Sequence, residues 1–288
     1  MRQNIAYGRI GRLMHVERFQ FLSTEFEIRT NSLELLDQVC GVAPHLQQEI
    51  SISHCHTISI AWTGEEFRIS NGNGGEDYEI SSTIVIDQLF TRMHKLALAN
   101  LPDHIRLRAV TGNHAGQAFL MVGQKCSGKT TLAVHLLLAG YDVCGDELAL
   151  LLDGQAVAFP RRFLVRGDCL ELLPQLKSSE EFIASAAKPV RETLIGIDPI
   201  GLGKPWRLVP LDVSAFFFIE PNYGARTTIQ PCGKLQMLRH IIPQCAPPGS
   251  KRANWIGDLS HTIDNTNTFM LRLGELNSAV LAIKEILG

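Results

Sequence analysis

The run Gly123-Gln124-Lys125-Cys126-Ser127-Gly128-Lys129-Thr130-Thr131 sets two glycines around four residues and follows them with a cation and two hydroxyls. That spacing, G-x-x-x-x-G-K-[ST], is a phosphate-binding loop. The glycines let the backbone curl until successive N–H groups converge on an anion. Lys129 then reaches the β- and γ-phosphates, and the Thr130 hydroxyl is a ligand for Mg²⁺. The ligand class implied is a nucleoside triphosphate with magnesium.

A second chemical position follows. Asp146-Glu147 begins sixteen residues after Thr130. A helix of about three turns carries the chain back across a sheet face, and the next strand is expected to end beside the strand entering the loop. Ligand crevices form at such strand carboxyl ends. There one carboxylate can take a proton from an incoming hydroxyl while the other holds Mg²⁺. Arg161, Arg162 and Arg166, and then Lys188, Arg191, Lys204 and Arg207, are cations that could neutralise phosphate charge or form a solvated face. His54 and His56 share a strand face but lack a third metal ligand at suitable spacing, so they read as a packed or surface pair. Cys126 reads as a small side chain within the loop.

The elements needed to position these groups are legible. Ala118–Val122 is a short apolar strand, and Thr131–Ala139 is a helix ended by Gly140. Strand, glycine loop and helix therefore come in the order that aims a helix N-terminus at an anion. His104–Thr111 and Gln117–Val122 read as two strands around the turn Gly112–Gly116. Leu148–Leu152 and Gln155–Phe159 flank Asp153-Gly154 as a tight hairpin. Val213–Ile219 reads as a buried strand, and Leu276–Leu287 as a helix facing inward through Val280, Leu281, Ile283 and Ile286.

Upstream, Ser32–Val39 is a short helix. Glu49–Trp62 alternates, with Ile50, Ile52, His54, His56, Ile58 and Ile60 on one face, and turns at Thr63-Gly64 into Glu66–Ile69. Ser70–Asp77 is loop-like. Ser81 or Ser82 is expected to cap a helix over Ile84–Ala99, with Ile84, Leu89, Met93, Leu96 and Ala97 along its buried stripe. The division expected is an N-terminal α+β region over 1–100 and a nucleotide-binding domain over 101–288.

Apolar content of 45% and net charge of −2 are globular values, with no basic field to argue for nucleic acid. No apolar run reaches the length of about 20 residues that spans a bilayer, so no membrane partner is expected. Seven cysteines without a C-x-x-C pair suit a reducing, cytoplasmic setting.

Taken together, the G-x-x-x-x-G-K-T loop, the segment Ala139–Glu147 and the hairpin after it resemble the C-terminal catalytic domain of HPr kinase/phosphorylase. The run Phe159–Arg166 is similar to the shorter HPr-kinase-related proteins of peptide-modifying gene clusters, among them kinases of lasso precursor peptides. The likeness covers roughly residues 100–220, and more weakly Phe269–Leu287. It implies an α/β fold with a mixed sheet of the HPr kinase/phosphoenolpyruvate carboxykinase type, carrying ATP and Mg²⁺ on the loop. The family's tandem aspartates fall on Asp146, the base toward a serine hydroxyl, and Glu147, the carboxylate on the metal side with Thr130. Residues 1–100 would help to recognise a small protein or peptide acceptor. The related kinases often assemble, and the helix Ile84–Ala99 offers a homo-oligomer interface.

Two departures stand out. Arg108, fifteen residues before Gly123, replaces a histidine of the bifunctional enzymes, and their glycine-rich signature loop is not recognisable around Lys188–Arg207. Both argue against phosphorolysis and against HPr as the acceptor. A small-metabolite kinase is the second enzyme reading, disfavoured by the 122 residues before Gly123. A nucleotide-dependent binding module that has lost its chemistry is the third.

Overall fold

A computed structural model of the protein describes residues 3–5, 14–42, 52–71, 78–82, 84–177, 187–191, 194–197, 199–204, 208–248 and 254–288. The chain divides into two units, Met1–Pro102 and Asp103–Gly288.

In the first unit β1 (Gln3–Ile5), β2 (Met14–Phe21), β3 (Thr24–Thr30), β4 (His54–Trp62), β5 (Phe67–Asn71) and β6 (Tyr78–Ile80) form a six-stranded sheet in sequential order. Only β3 and β4 run parallel, connected through α1 (Leu33–Val42). Ile58 and Ile60 are buried as the alternation requires. Ile52 is not part of the strand and is exposed, and Ile50 lies outside the described residues. Most of the loop-like Ser70–Asp77 also lies outside them. The second helix, α2 (Val85–Ala99), buries Val85, Leu89, Met93 and Ala97. Ile84 is its N-cap and is exposed, and no side chain caps the helix, so neither serine takes that role. The backbone N–H of Ile84 bonds the Ser81 carbonyl instead, at 3.2 Å.

The second unit is mixed α/β. Its strands are β7 (Ile105–Leu107), β8 (Ala109–His114), β9 (Gln117–Gly123), β10 (Asp142–Gly145), β11 (Ala149–Leu152), β12 (Gln155–Ala158), β13 (Phe163–Arg166), β14 (Ala187–Arg191), β15 (Leu194–Ile197), β16 (Leu211–Pro221), β17 (Thr228–Pro231), β18 (Cys245–Ala246) and β19 (Asn267–Leu273). The α-helices among the described residues are α3 (Lys129–Leu138), α4 (Lys234–Ile241), α5 (Trp255–Asp264) and α6 (Leu276–Leu287).

Phe216, Phe217, Phe218 and Ile219 make β16 apolar on both faces, as a strand covered on both sides must be. It runs parallel to β9 on one side and β19 on the other. Beyond β9 come β8 and then β10, and beyond β19 comes β17. The N-terminal end of β16 also pairs with β12, which leads through β11 and β7 to β18. One face of the central strands packs α3 and α6 through Leu132, Leu136, Ala279 and Ile283. The other packs α4 and α5 through Met237, Ile241, Leu259 and Ile263. In α6 the buried stripe is Ala279, Ile283 and Leu287, with Leu281 and Ile286 exposed. The inward face is therefore rotated from the expected one.

The expected single strand His104–Thr111 breaks at Arg108 into β7 and β8, which belong to different pairings. The turn after β8 is also tighter than Gly112–Gly116: His114 pairs with Gln117, and only Ala115 and Gly116 turn, with φ of 50° and 83°. Gly112 stays in the ladder because Phe119, opposite it, lays its ring where a side chain would stand. A Cβ at Gly112 would lie 2.3 Å from Phe119 Cζ. Gly112→Ala is therefore expected to lower stability by about 1–3 kcal/mol, read as a lower urea midpoint at unchanged slope. An unchanged midpoint would show that the ring moves aside freely. The Asp153-Gly154 hairpin has both turn residues left-handed, at φ 51° and 85°, as its chemistry demands.

Candidate functional site

The glycine loop leaves β9 at Gly123 and enters α3 at Lys129. Gly123 fits because a Cβ there would meet Ser127 Oγ at 2.7 Å and the Ile219 carbonyl at 3.0 Å. Gly128, at φ 87°, is the left-handed N-cap of α3, and no side chain caps the helix. Its first N–H groups thus face outward with no capping oxygen, which makes an anion-accepting end. Gln124, Lys125 and Cys126 are exposed at the loop tip, while Ser127, Lys129 and Thr131 are buried.

Lys129 Nζ donates to the carbonyls of Gly123 at 2.6 Å and Gln124 at 2.8 Å, and to Ser127 Oγ at 3.3 Å. These three bonds curl the loop around its own cation. Burial pushes the ammonium down to about 8, helped by the nearby Arg108 guanidinium and opposed by Asp146 and Cys126. The residues are in place for Lys129 to exchange loop carbonyls for phosphate oxygens.

Asp146 reaches this loop from a strand that is not its neighbour. β10 pairs with β8, which lies between it and β9, so the expected adjacency is corrected. Two features close the gap. The last turn of α3 ends in a Schellman arrangement, with Tyr141 N–H on the Leu136 carbonyl at 3.0 Å and Gly140 at φ 100°. This turns the chain back along the sheet. Then β10 carries a bulge: Val143 pairs with Gly112 and Gly145 with Thr111, leaving Cys144 as the extra residue. In an unbroken pleat residue 146 would share a face with Asp142 and Cys144, which line a cavity with Thr111 and Asn113. The extra residue shifts the alternation and turns Asp146 toward α3. Gly145 permits the passage, since a Cβ there would lie 2.9 Å from the Phe159 carbonyl.

The outcome is that the buried Asp146 carboxyl lies within the electrostatic reach of the Thr130 hydroxyl, Lys129 and Arg161. Burial raises this carboxyl to about 6, against the downward pull of Thr130, Arg161 and Lys129. Lys129, Thr130 and Asp146 are therefore assembled. Glu147 stands beside them on the exposed side and is ion-paired with Arg161.

Of the other cations, Arg166 pairs with Asp168, and Lys204 Nζ donates to the Gly140 carbonyl at 3.3 Å. Arg162 is buried. The backbones of Lys188 and Arg191 lie in β14, while their side chains and all of Arg207 fall outside the described residues. In the other unit His54 bonds Ser53 Oγ at 2.9 Å, and His56 stacks on Phe26. Burial, with the charge of His54, lowers the pKa of His56.

Sequence reasoning missed Tyr223. It follows β16 at the carboxyl end of the parallel strands and donates its hydroxyl to the Cys126 carbonyl at 3.1 Å, bracing the loop tip. The rule that parallel strands present ligands beyond their carboxyl ends was the signal that could have found it.

The site suits a polyphosphate with Mg²⁺. The loop's glycine approach, an uncapped helix N-terminus and a buried cation match phosphate oxygens. Thr130 with the Glu147 carboxylate is an oxygen set of the kind Mg²⁺ uses when phosphates supply other ligands. Among the described residues no cluster of three or more His, Cys, Asp or Glu side chains forms a metal cage of its own. Nor is any helix among them long and apolar enough to cross a membrane. No protein-family model matches the chain, and no curated protein matches it in sequence.

Proposed function

We propose that the protein is an ATP-dependent kinase that transfers the γ-phosphoryl group to a serine or threonine hydroxyl of a small protein or peptide, such as a ribosomal peptide precursor. Its core would be of the HPr kinase/phosphoenolpyruvate carboxykinase type. The observation that carries the reading is the buried Asp146 carboxyl, raised to about 6, brought by the β10 bulge to the side of Lys129 and Thr130. A carboxylate of that basicity beside a phosphate cradle serves to take a proton from an alcohol as it attacks phosphorus.

In this reading Asp146 accepts the hydroxyl proton and holds the oxygen in line. Lys129 releases the carbonyls of Gly123 and Gln124 and takes phosphate oxygens in their place. The N–H groups at the start of α3 face the same charge. Thr130 and Glu147 would hold Mg²⁺, which when bound draws charge from the phosphate oxygens. Glu147 would first have to leave Arg161, whose guanidinium is then released toward the phosphates. Most of the rate enhancement would come from positioning and charge stabilisation. The Met1–Pro102 unit would serve acceptor recognition.

The test is transfer of label from γ-labelled ATP with Mg²⁺ into either a Ser/Thr peptide library or a metabolite pool. Label in peptides is expected. Label confined to small molecules would favour the metabolite kinase, and nucleotide binding without any transfer would leave only a binding module.

A further inference from the structure

Arg108 is the residue at which the chain changes sheet partners. Leu107 pairs with Ala149 and Cys245, whereas Ala109 pairs with Val122. At the break the Arg108 N–H donates to the Gln244 carbonyl at 2.9 Å, which anchors the backbone where neither ladder holds it. The register then places Arg108 one step past the Ala109–Val122 pair, level with Gly123, where the glycine loop begins.

The pleat decides which side it takes. Ala109 packs with the α4 and α5 core, and Val110 with the α3 core. Alternation puts Arg108 on Val110's side, the side of α3 and Lys129. Its side chain is exposed, and among the described residues no carboxylate pairs with it. Arg161 and Arg166, by contrast, are each held by an acid. Arg108 is close enough to Lys129 for the two charges to repel. Two like charges thus face one mouth of the loop, an arrangement relieved by an anion with more charge than a single lysine can balance. A guanidinium offers that anion a planar fork of donors, which an ammonium does not.

We propose that Arg108 binds the terminal phosphoryl group of the nucleotide, so that the site distinguishes a triphosphate from a diphosphate. The inference rests on the phosphotransferase reading and deepens it. It gives Arg108 a role in the reaction, since a group that holds the transferring phosphoryl also steadies its charge at transfer.

Calorimetric titration with Mg²⁺ and either a non-hydrolysable ATP analogue or ADP tests it, on wild type, Arg108→Gln and Arg108→Lys. Arg108→Gln is expected to weaken the triphosphate analogue about tenfold and ADP by less than about twofold. Arg108→Lys keeps charge but loses the fork, so it should recover only part of the difference. A role confined to holding the β7–β8 junction would weaken both nucleotides equally. Equal weakening, or an unchanged affinity for the triphosphate, overturns the proposal while the kinase reading stands. If wild type binds neither nucleotide, both fall together.

Discussion

Asp146→Asn is expected to reduce phosphoryl transfer by about 10³-fold, to leave ATP binding intact, and to make the protein more stable. The first effect follows from the proposed role of Asp146 as the base. The asparagine keeps the shape, but it cannot accept a proton. The stability gain follows from the raised carboxyl. Folding lifts it from 3.8 to about 6, so the folded state prefers the protonated acid. Below 3.8 both states are protonated and the preference contributes nothing. As pH rises toward about 6 the unfolded chain ionises first, and stability falls. Above that pH the full cost is present, of order 3 kcal/mol. The variant escapes it, so its advantage in chemical denaturation should be absent near pH 3.5 and largest at neutral pH and above. Such a trade of stability for function is typical of buried reactive acids. Retained turnover in Asp146→Asn would remove this carboxylate from the chemistry, whatever happened to stability.

Lys129→Met should weaken nucleotide binding by about 100-fold or more, and the wild-type affinity should itself fall as pH rises past about 8. Burial and Arg108 make the free ammonium lose its proton early. A bound polyphosphate restores the proton, so binding above that pH takes up a proton and weakens accordingly. In wild type kcat/KM should therefore rise through about 6 with Asp146 and decline past about 8 with Lys129. The upper limit in kcat should lie higher, because the occupied site holds Lys129 charged. A profile flat from pH 7 to 10, or nucleotide affinity unchanged in Lys129→Met, would show that this ammonium does not face the phosphates.

The local elements that carry these groups are legible in the residues because they answer to short-range rules. Gly128, the stop at Gly140 and the Asp153-Gly154 turn each state a left-handed backbone that few other residues adopt, while Gly123 answers to the close approach of Ser127 and Ile219. The unbroken apolar run of Phe216–Ile219 states burial on both faces. Amphipathic stripes are less exact. Ile84 falls at the N-cap, outside the helix, and Leu281 lies about 200° around the axis from both Ala279 and Ile283, so both face solvent.

What composition and spacing determined was a glycine loop of phosphate-binding spacing and an acid at a suggestive distance along the chain. Which strands stand together, and so how that acid arrives, was decided only by tertiary structure. Strand order depends on pairings between residues more than ninety apart, such as Ala118 with Val213, and no local pattern encodes them. The single extra residue at Cys144 turns Asp146 to the loop's side, and the break at Arg108 swings a guanidinium level with Gly123. Both are backbone irregularities that the competing hydrogen-bond ladders impose. They become visible only when both partners of each ladder are in place.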